Sequence, residues 1–312
     1  LQDSMIQEII EDDGNELTSF YSFTGGLVAP DSDNNPWNYK FTWNPRNVVM
    51  AGNGVSQFIK NGRYKYIPYH RLFDRAFNRK ILGYGDFEVY ANRDSLKYRS
   101  IYDLKDIPSM FRGTIRRPGF SKAWNVFVRL GMTEDNYTLE SSENMTYRQF
   151  LNSFLRYEPN VPAEIKLQEY CSNAADPVVM EKLKWLGIFD ERKIGLKNAT
   201  PAQILQQLLE ERWSMDPQDK DMIVMQHEFK YLTDGVEKMI VSAMAVIGKN
   251  QTETAMAITV GLPLAIATKL LMLGKFNHTG VILPTEKQMY EPILDELSTF
   301  GITFEENEYL IG

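Results

Sequence analysis

Apolar residues recur along this chain with two different spacings, and these spacings predict a protein that mixes helices with strands. The first helix is predicted over residues 5–10, where four apolar side chains share one helical face before Gly14 ends the pattern. The sequence LTSFYSF, which begins at Leu17, is rich in aromatic and hydroxyl residues and predicts a strand. The chain is therefore expected to open with one helix that leads into one strand.

Strands and helices are predicted to alternate up to about residue 132. Residues 47–67 predict a short strand, a short helix, a turn at Asn61–Gly62 and a second strand. Residues 85–104 predict a strand and then a helix. Residues 109–131 predict another strand, followed by a helix that ends at the glycine in position 131.

The pattern changes near residue 145, where strand signals stop. Three helical patterns follow, and Pro201 directly behind Thr200 is a favourable start for the third helix. Residues 145–218 are therefore predicted to form an all-helical insert.

Strand patterns resume after the insert. Residues 222–247 predict an antiparallel hairpin that turns at residues 233–235. Residues 254–275 predict a pair of small-residue helices, and GVILP at residues 280–284 predicts a buried strand. The chain is predicted to end with a helix and a last strand, over residues 286–301 and 302–306. The predicted fold class is α/β of the α+β kind, with a mixed β-sheet domain and an inserted all-helical domain.

Charge and cysteine content exclude several classes of protein. Asp and Glu outnumber Lys and Arg by 41 to 34, so the net charge is −7 and a broad nucleic-acid surface is not expected. The single cysteine, Cys171, cannot form a disulfide within the chain, which suits a reducing compartment. We expect a cytoplasmic protein.

Membrane association is not expected either. The longest apolar run, residues 260–273, carries Lys269 and is interrupted by Pro263. No secretory signal pattern is visible, and the chain begins at Leu1 without a methionine. We interpret this start as a position inside a longer protein.

One stretch is similar to the glycine fingerprint of dinucleotide-binding folds. Gly52 and Gly54 lie between a predicted strand and a predicted helix, and Asp74 follows about 20 residues later. Gln57, however, replaces the third glycine, and the predicted helix is short. We interpret this stretch as an ordinary glycine-rich turn.

Residues that commonly bind metals or act as nucleophiles show no suitable spacing. None of the three histidines, which are His70, His227 and His278, has a histidine partner four residues away. His227 lies in an otherwise apolar strand, so we interpret it as a structural histidine. No serine has a nucleophile-elbow pattern. No metal site is expected, and no catalytic residue is assigned.

Two polar clusters are candidates for a binding site. Residues 92–95 (Asn-Arg-Asp-Ser) follow a predicted strand, and ligands bind at strand ends in α/β folds. A helix cap at Asp94 or Ser95 beside a solvated Arg93 explains the same pattern equally well. The second cluster, RGTIRRP at residues 112–118, carries three arginines, and we interpret it as an edge strand kept soluble by charge.

Several stretches, taken together, resemble the NADP-dependent, glutamate-forming saccharopine dehydrogenases, also called saccharopine reductases, and in particular the Bacteroidetes-type members. The similar stretches cover nearly the whole chain in family order. They are GGLVAPDSDNNPWNYKFTW, YANRDSLKYR, RGTIRRPGF, LKWLGIF, MIVMQHEF, and AMAITVGLPLAIATK with GVILP.

The resemblance implies a three-part protein. Residues 16–144 and 219–260 would form a mixed-sheet domain for substrate binding and dimerisation, and residues 145–218 a helical domain inserted into it. Residues 1–15 and 261–312 would pack on a Rossmann nucleotide-binding domain, of which this chain keeps only a C-terminal remnant.

The resemblance also assigns five residues to substrate binding: Gly25, Gly26, Trp43, Asn92 and Arg93. The two glycines would let the backbone approach an amino-acid substrate that side chains would exclude. The alternating aromatic residues of 37–43 would form a strand that places Trp43 against the substrate, with Lys40 pointing elsewhere. Arg93 coincides with the family's substrate-binding arginine.

The implied reaction interconverts saccharopine with glutamate and an aminoadipate semialdehyde, through an imine that NADPH reduces. The chain would hold an amino-dicarboxylate substrate and form a homodimer. NADP (or NAD) would bind the full-length protein, while this chain alone is expected to bind no cofactor and to be inactive. Two alternatives stay open: a reductase of another amino-acid–aldehyde adduct, of the carboxynorspermidine type, and a non-catalytic member that acts as an interaction module.

Overall fold

A single mixed sheet dominates the structure, a computed structural model that describes residues 2–11, 14–276 and 279–311. Nine strands in these residues join the sheet, which confirms the predicted fold class. The strands are β1 Glu16–Val28, β2 Val55–Lys60, β3 Arg63–Pro68, β4 Phe77–Ile81, β5 Gly85–Ala91, β6 Ser109–Arg116, β7 Asp221–Thr233, β8 Val236–Ile247 and β9 Glu305–Leu310.

Strand β1 lies at the centre of the sheet. The strands follow the order β3-β2-β6-β1-β7-β8-β9, and β5 joins β4 to β6. β1 runs parallel to β6 and antiparallel to β7, so Phe23 lies between Gly113 and Gln226. β7 and β8 form the predicted hairpin, which turns at Asp234 and Gly235, both with positive φ.

Eleven α-helices in the described residues surround the sheet. They are α1 Gln2–Glu11, α2 Pro45–Val49, α3 Tyr69–Leu72, α4 Tyr98–Ile101, α5 Phe120–Leu130, α6 Tyr147–Asn152, α7 Ala163–Tyr170, α8 Pro177–Leu186, α9 Pro201–Trp213, α10 Ala255–Met272 and α11 Lys287–Thr299.

Helices α6 to α9 occupy the stretch that was predicted to be a helical insert. Thr146 and Thr200 each begin a helix with a capping box, in which the threonine side chain and a glutamine three residues later satisfy backbone N–H groups reciprocally. The apolar faces of these helices share one hydrophobic core with α5 and with the side of the sheet that carries Phe23 and Leu27. The domain boundaries at residues 145 and 218 stay predictions.

Helices α1, α10 and α11 are associated with the opposite face of the sheet. Helix α1 buries Met5, Ile6 and Ile9 against Phe20 and Phe229. A separate apolar cluster joins α10 to α11. The first of these contacts follows the face predicted from the sequence.

Helix α10 is one continuous helix, whereas a helix pair was predicted. Pro263 lies inside α10 and does not end it. A proline lacks the backbone N–H and so removes one hydrogen bond of the helix, while the turns on both sides keep theirs. By length and composition alone α10 would be able to cross a membrane, and 17% of this stretch is buried. One such helix is a weak indication, since apolar helices of soluble proteins meet the same criterion.

Two predictions for the end of the chain were wrong in position or type. Residues 280–284 are not a buried strand, and Val281 and Leu283 within them are exposed. The last strand, β9, begins at Glu305 rather than residue 302 and pairs with β8.

The order of elements around residues 45–60 is the reverse of the predicted order. Helix α2 comes first because Asn44 accepts a hydrogen bond from a backbone N–H of the first turn and Pro45 occupies its first position. Gly52 and Gly54, with φ of 91° and 97°, form the turn that follows, and β2 begins after them. A dinucleotide fingerprint needs the strand before and the helix after the glycines. The interpretation as an ordinary turn is therefore confirmed.

Candidate functional site

Gly25 and Gly26 lie near the end of β1, on opposite faces of the sheet. A Cβ atom at Gly25 would lie 2.7 Å from the carbonyl oxygen of Ile115 in the neighbouring strand. A Cβ atom at Gly26 would lie 3.0 Å from the Thr42 hydroxyl and 3.2 Å from the Met256 methyl group. Close packing against Ile115 of β6 therefore explains why position 25 is a glycine. Gly26, on the other face, points toward Thr42 and Met256.

The residues from 37 to 43, here called the Trp43 segment, are not a strand, contrary to the prediction. Their alternating aromatic side chains enter the core instead, where Trp37, Tyr39 and Phe41 pack around Trp213 of α9. Trp43 is different, because 42% of it is exposed. Thr42 contacts the Gly26 position, and Trp43 is the next residue in the chain.

Asn92 and Arg93 follow directly after β5. The Asn92 N–H donates to the carbonyl of Arg112, at 2.8 Å, and the Arg93 carbonyl accepts from the N–H of Gln57, at 2.9 Å. Arg93 has a left-handed backbone with φ of 44°, and its side chain is exposed. Within the described part of the chain, no hydrogen-bond or ion-pair partner holds its guanidinium, which leaves that group available to a ligand.

Asp94 and Ser95 are not helix caps, contrary to the other interpretation of the cluster, because α4 begins at Tyr98 after Lys97 and has no side-chain cap. Asp94 instead closes a turn ahead of α4. The Asp94 carboxylate accepts from the N–H groups of Leu96 and Lys97, at 2.8 and 3.3 Å. Ser95 is buried and accepts from the N–H of Arg112 at 3.0 Å. Asp94 and Ser95 are thus structural, and they fix the backbone on which Arg93 is presented.

The arginine-rich stretch 112–118 is not an edge strand, contrary to the prediction, because β6 lies between β1 and the β2 and β5 strands. The Arg112 guanidinium lies over the Tyr98 ring, 4.1 Å from its centre. Arg116 is buried against the rings of Tyr39 and Phe120. Its arginines are therefore held by aromatic rings rather than by solvent.

A row of polar side chains connects the two parts of the candidate site. In the sheet register Thr24 lies opposite Thr114, and Ser22 lies opposite Arg112. Ala91 lies opposite Gly113, so Asn92 comes next to Arg112. Opposed residues project to the same face of a sheet. We call this row the polar strip; its members are Ser22, Thr24, Asn92, Arg112 and Thr114, and Arg93 follows Asn92 at one end.

The strip separates Gly26 from Arg93 by a considerable distance. From the usual rise per residue and strand spacing, the backbones of Gly26 and Asn92 are roughly 16 Å apart. One small ligand would touch both ends only if it were extended along the strip and if Arg93 reached toward it. Sequence reasoning missed Thr24, Thr114 and Arg112 as members of this surface, since their alignment depends on strand pairing.

His227 lies in the same face of the sheet but is packed among aromatic rings. It is buried, and the ring of Phe304 stacks on it at 5.8 Å between centres. Burial lowers the pKa of His227 from its usual value of 6.5 to about 3, so the imidazole is neutral near pH 7. These features support the interpretation as a structural histidine.

Neutral His227 predicts a loss of stability in mild acid. The folded pKa lies below the unfolded one, so the unfolded state binds more protons between about pH 3 and 6.5 and stability falls as the pH falls through that window. We expect the wild type to lose about 2 kcal/mol of unfolding free energy between pH 7.5 and pH 5 relative to His227→Gln. Urea titrations of both proteins at the two pH values measure this, and parallel pH profiles would contradict it.

A large apolar cavity of about 750 Å³ lies between α10, α11 and the sheet. Met225, Met244 and Phe304 line it from the sheet side, and Leu271 and Ile293 line it from the helices. Its lining is mainly apolar, so it does not share the chemistry of the polar strip.

Metal chemistry finds no support in the described residues, because no group of three or more His, Cys, Asp or Glu side chains is placed to hold an ion there. His278 lies outside the described residues. Cys171 is buried.

Comparison with known proteins gives a consistent result along the whole chain. Residues 4–302 match the family model described as the saccharopine dehydrogenase C-terminal domain. The chain is 30% identical over 300 residues to saccharopine dehydrogenase [NADP(+), L-glutamate-forming] of Saccharomyces cerevisiae, covering 94% of this chain and 67% of the relative. It is 32% identical over 299 residues to mitochondrial alpha-aminoadipic semialdehyde synthase of Mus musculus, covering 93% of this chain and 32% of the relative.

A solved structure shows the same fold. Apo histidine-tagged saccharopine dehydrogenase (L-Glu forming) from Saccharomyces cerevisiae superimposes with a TM-score of 0.88 at 28% identity, over 99% of this chain and 70% of that chain. The chain thus spans about two thirds of the yeast relative and about a third of the mouse relative.

Proposed function

This chain belongs to the saccharopine dehydrogenase C-terminal domain family, and we propose that it is the substrate-binding and dimerisation portion of a saccharopine dehydrogenase. The yeast relative is an oxidoreductase whose name specifies NADP(+) and glutamate formation. The proposed parent reaction is the NADP-dependent interconversion of saccharopine with glutamate and an aminoadipate semialdehyde, as part of lysine metabolism.

The polar strip is the observation that carries the proposal. Saccharopine is a long amino acid with three carboxylates, and each carboxylate needs a cation or several donors when it leaves water. Arg93 supplies an unpaired guanidinium at one end of the strip, and the hydroxyl groups of Thr24 and Thr114 follow toward Gly26. At the other end Thr42 faces Gly26, and the partly exposed Trp43 follows it in the chain. An extended amino-dicarboxylate fits this arrangement better than a compact ligand does.

In this proposal the chain's own residues bind and orient the substrate. Arg93 would hold one carboxylate by two parallel hydrogen bonds, and Trp43 would shield the alkyl chain from water. The nicotinamide cofactor, bound by the full-length protein, would supply hydride transfer at the C–N bond. The catalytic acid and base are not assigned to residues of this chain.

The direct test is turnover by the full-length protein. Saccharopine-dependent reduction of NADP, followed at 340 nm, is the expected result. Turnover of carboxynorspermidine but not saccharopine would replace the substrate, and a lack of turnover with both would favour an interaction module. The comparisons do not favour either alternative.

The exposed apolar residues of α10 and of the stretch after it support a second proposal, that residues 1–15 and 261–312 pack on a nucleotide-binding portion. Leu264, Leu271 and Met272 of α10 are exposed, and Val281 follows them. Exposed apolar residues in such number mark an interaction surface. We propose that this surface, rather than a membrane, accounts for the composition of α10. A buried, unpaired Cys171 agrees with a cytoplasmic location, which we also propose.

We predict that this chain alone does not bind NADP or NAD. The glycine motif at Gly52 and Gly54 has the wrong order of helix and strand, because it follows a helix. Isothermal titration of the chain with NADP should give no heat of binding up to millimolar ligand. Micromolar affinity for either dinucleotide would contradict the prediction.

We predict that the chain is a dimer in solution. The family resemblance motivates this, together with the exposed edge of the β7–β8–β9 side of the sheet. Light scattering at tens of micromolar protein should give twice the chain mass of 36.0 kDa. A mass of 36.0 kDa under those conditions would refute it.

A further inference from the structure

Lys40 is a buried lysine in the middle of the Trp43 segment. Its ammonium group donates to the Asp219 carboxylate at 2.5 Å and to the Asp216 carboxylate at 3.1 Å. The side chains of Lys40 and Asp219 are only 4% and 8% exposed, whereas Asp216 is 71% exposed. The pair Lys40–Asp219 is therefore an internal ion pair between residues that are 179 positions apart in the sequence.

The partners of Lys40 lie on the connection between the last helix of the insert and β7. The Asp216 N–H donates to the Asp219 carboxylate at 2.6 Å, which shapes this connection. At the end of α9, just before this connection, the carbonyl of Trp213 accepts a hydrogen bond from the N–H of Phe41 at 2.7 Å. Two successive residues of the Trp43 segment are thus held, Lys40 by the connection and Phe41 by the end of α9.

The charge of Lys40 is maintained despite its burial. Burial opposes the ammonium form, but the hydrogen bonds to Asp219 and Asp216 hold the pKa of Lys40 above its usual value. A buried ion pair is weak evidence for stability, because apolar replacements of both partners are often neutral or stabilising. Its better-attested role is to specify one arrangement of the groups it joins.

The direction of Lys40 defines the register of the segment. Tyr39 and Phe41 on either side enter the aromatic core around Trp213, while Lys40 leaves it for Asp219. A slip of the segment by one residue would place the ammonium in the aromatic core, which is energetically prohibitive. The register also sets the position of Thr42, whose hydroxyl faces the Gly26 position, and of Trp43, the residue after it.

We propose that Lys40 and Asp219 are positioning residues for the substrate, which fix Thr42 against Gly26, and with it the adjoining Trp43, without contacting the substrate themselves. This inference rests on the proposed function. In this proposal the connection between α9 and β7, which carries Asp219, positions one wall of the substrate site.

The test uses the double variant Lys40→Met/Asp219→Asn, which removes both charges with little change in volume and so leaves no buried charge unpaired. In the full-length enzyme we expect the KM for saccharopine to rise about tenfold and the KM for NADP to change less than about twofold. In a Trp43→Phe background the same double change should add less than about twofold, because its effect acts through Trp43. The matched control is Arg156→Met/Glu169→Gln, which removes an exposed ion pair of the insert and should leave both KM values unchanged.

A second measurement does not depend on the enzyme assay. With 5-fluorotryptophan incorporated into this chain, the fluorine resonance of Trp43, assigned by Trp43→Phe, should shift or split in the double variant. The resonance of Trp185, in the helical insert, should not change. An unchanged Trp43 resonance, an unchanged KM for saccharopine, or full additivity with Trp43→Phe would each overturn the proposal. If the wild-type full-length protein does not turn over saccharopine, the proposed function fails, and the fluorine spectrum alone decides the positioning role.

Discussion

Arg93→Ala in the full-length enzyme is expected to weaken saccharopine binding by about 2–4 kcal/mol, which is roughly a 30- to 1000-fold rise in the dissociation constant. The reason is that a carboxylate removed from water would lose its charged, two-pronged partner. In the structure the Arg93 side chain is exposed, and its backbone is fixed by the hydrogen bond from Gln57 and by the turn that Asp94 closes. The loss should therefore be one of ligand contact rather than of folding.

Two further variants sharpen this prediction. Arg93→Lys should recover only part of the binding, because a point charge cannot make two parallel hydrogen bonds. Arg63→Ala, on the exposed edge strand β3, removes an arginine away from the strip and should have no effect on binding. Titration calorimetry or the KM for saccharopine measures all three. Binding by Arg93→Ala within twofold of the wild type would exclude Arg93 from the substrate site.

Trp213→Ala is expected to lower the free energy of unfolding by about 3–5 kcal/mol. Trp213 ends α9, is fully buried, and lies against the rings of Trp37, Tyr39 and Trp124. Its removal would leave a large void where the helical insert, α5 and the Trp43 segment meet, and the surrounding side chains would relax only in part.

Urea unfolding followed by circular dichroism measures this effect. Because the main hydrophobic core continues from the sheet into the insert, we expect one cooperative transition that shifts as a whole. Tyr157→Ala, at a site that is 91% exposed, is the matched aromatic control and should change stability by less than about 0.5 kcal/mol. Two separate transitions, only one of them displaced by Trp213→Ala, would contradict the single core.

Local patterns predicted most elements correctly where a sequence signal acts within one helix or hairpin. Gly131 ends α5 with a left-handed backbone, as its position after the apolar pattern indicates. The helix start at Thr200 and the turn at Asp234–Gly235 are likewise set by signals within a few residues. Where two local signals compete, prediction failed: the apolar residues before Gly52 suit a strand, but Asn44 and Pro45 start a helix there.

The candidate site was predicted only in part, because its geometry depends on contacts between distant segments. The resemblance identified Arg93 and Trp43, and in the structure Arg93 lies at one end of the polar strip while Trp43 directly follows Thr42, which faces Gly26. The assignment of these residues, with Gly25, Gly26 and Asn92, to substrate binding stays a prediction. The alternation of aromatic residues in 37–43 suggested a strand, since a period of two is the usual strand signal. The aromatic cluster around Trp213 accounts for the same period without any strand.

The sequence by itself determined the fold class, the hairpin, the helical character of residues 145–218 and, through family resemblance, the class of reaction to test. These follow from propensity, periodicity and caps, which act over a few residues. Only the tertiary structure decided that β6 is an inner strand, that Gly25 is bare because Ile115 leaves no room for a side chain, and that Lys40 turns inward. The physical reason is that strand pairing and a buried ion pair join residues that are far apart in the chain, and no local pattern records which partner a strand or a lysine will meet.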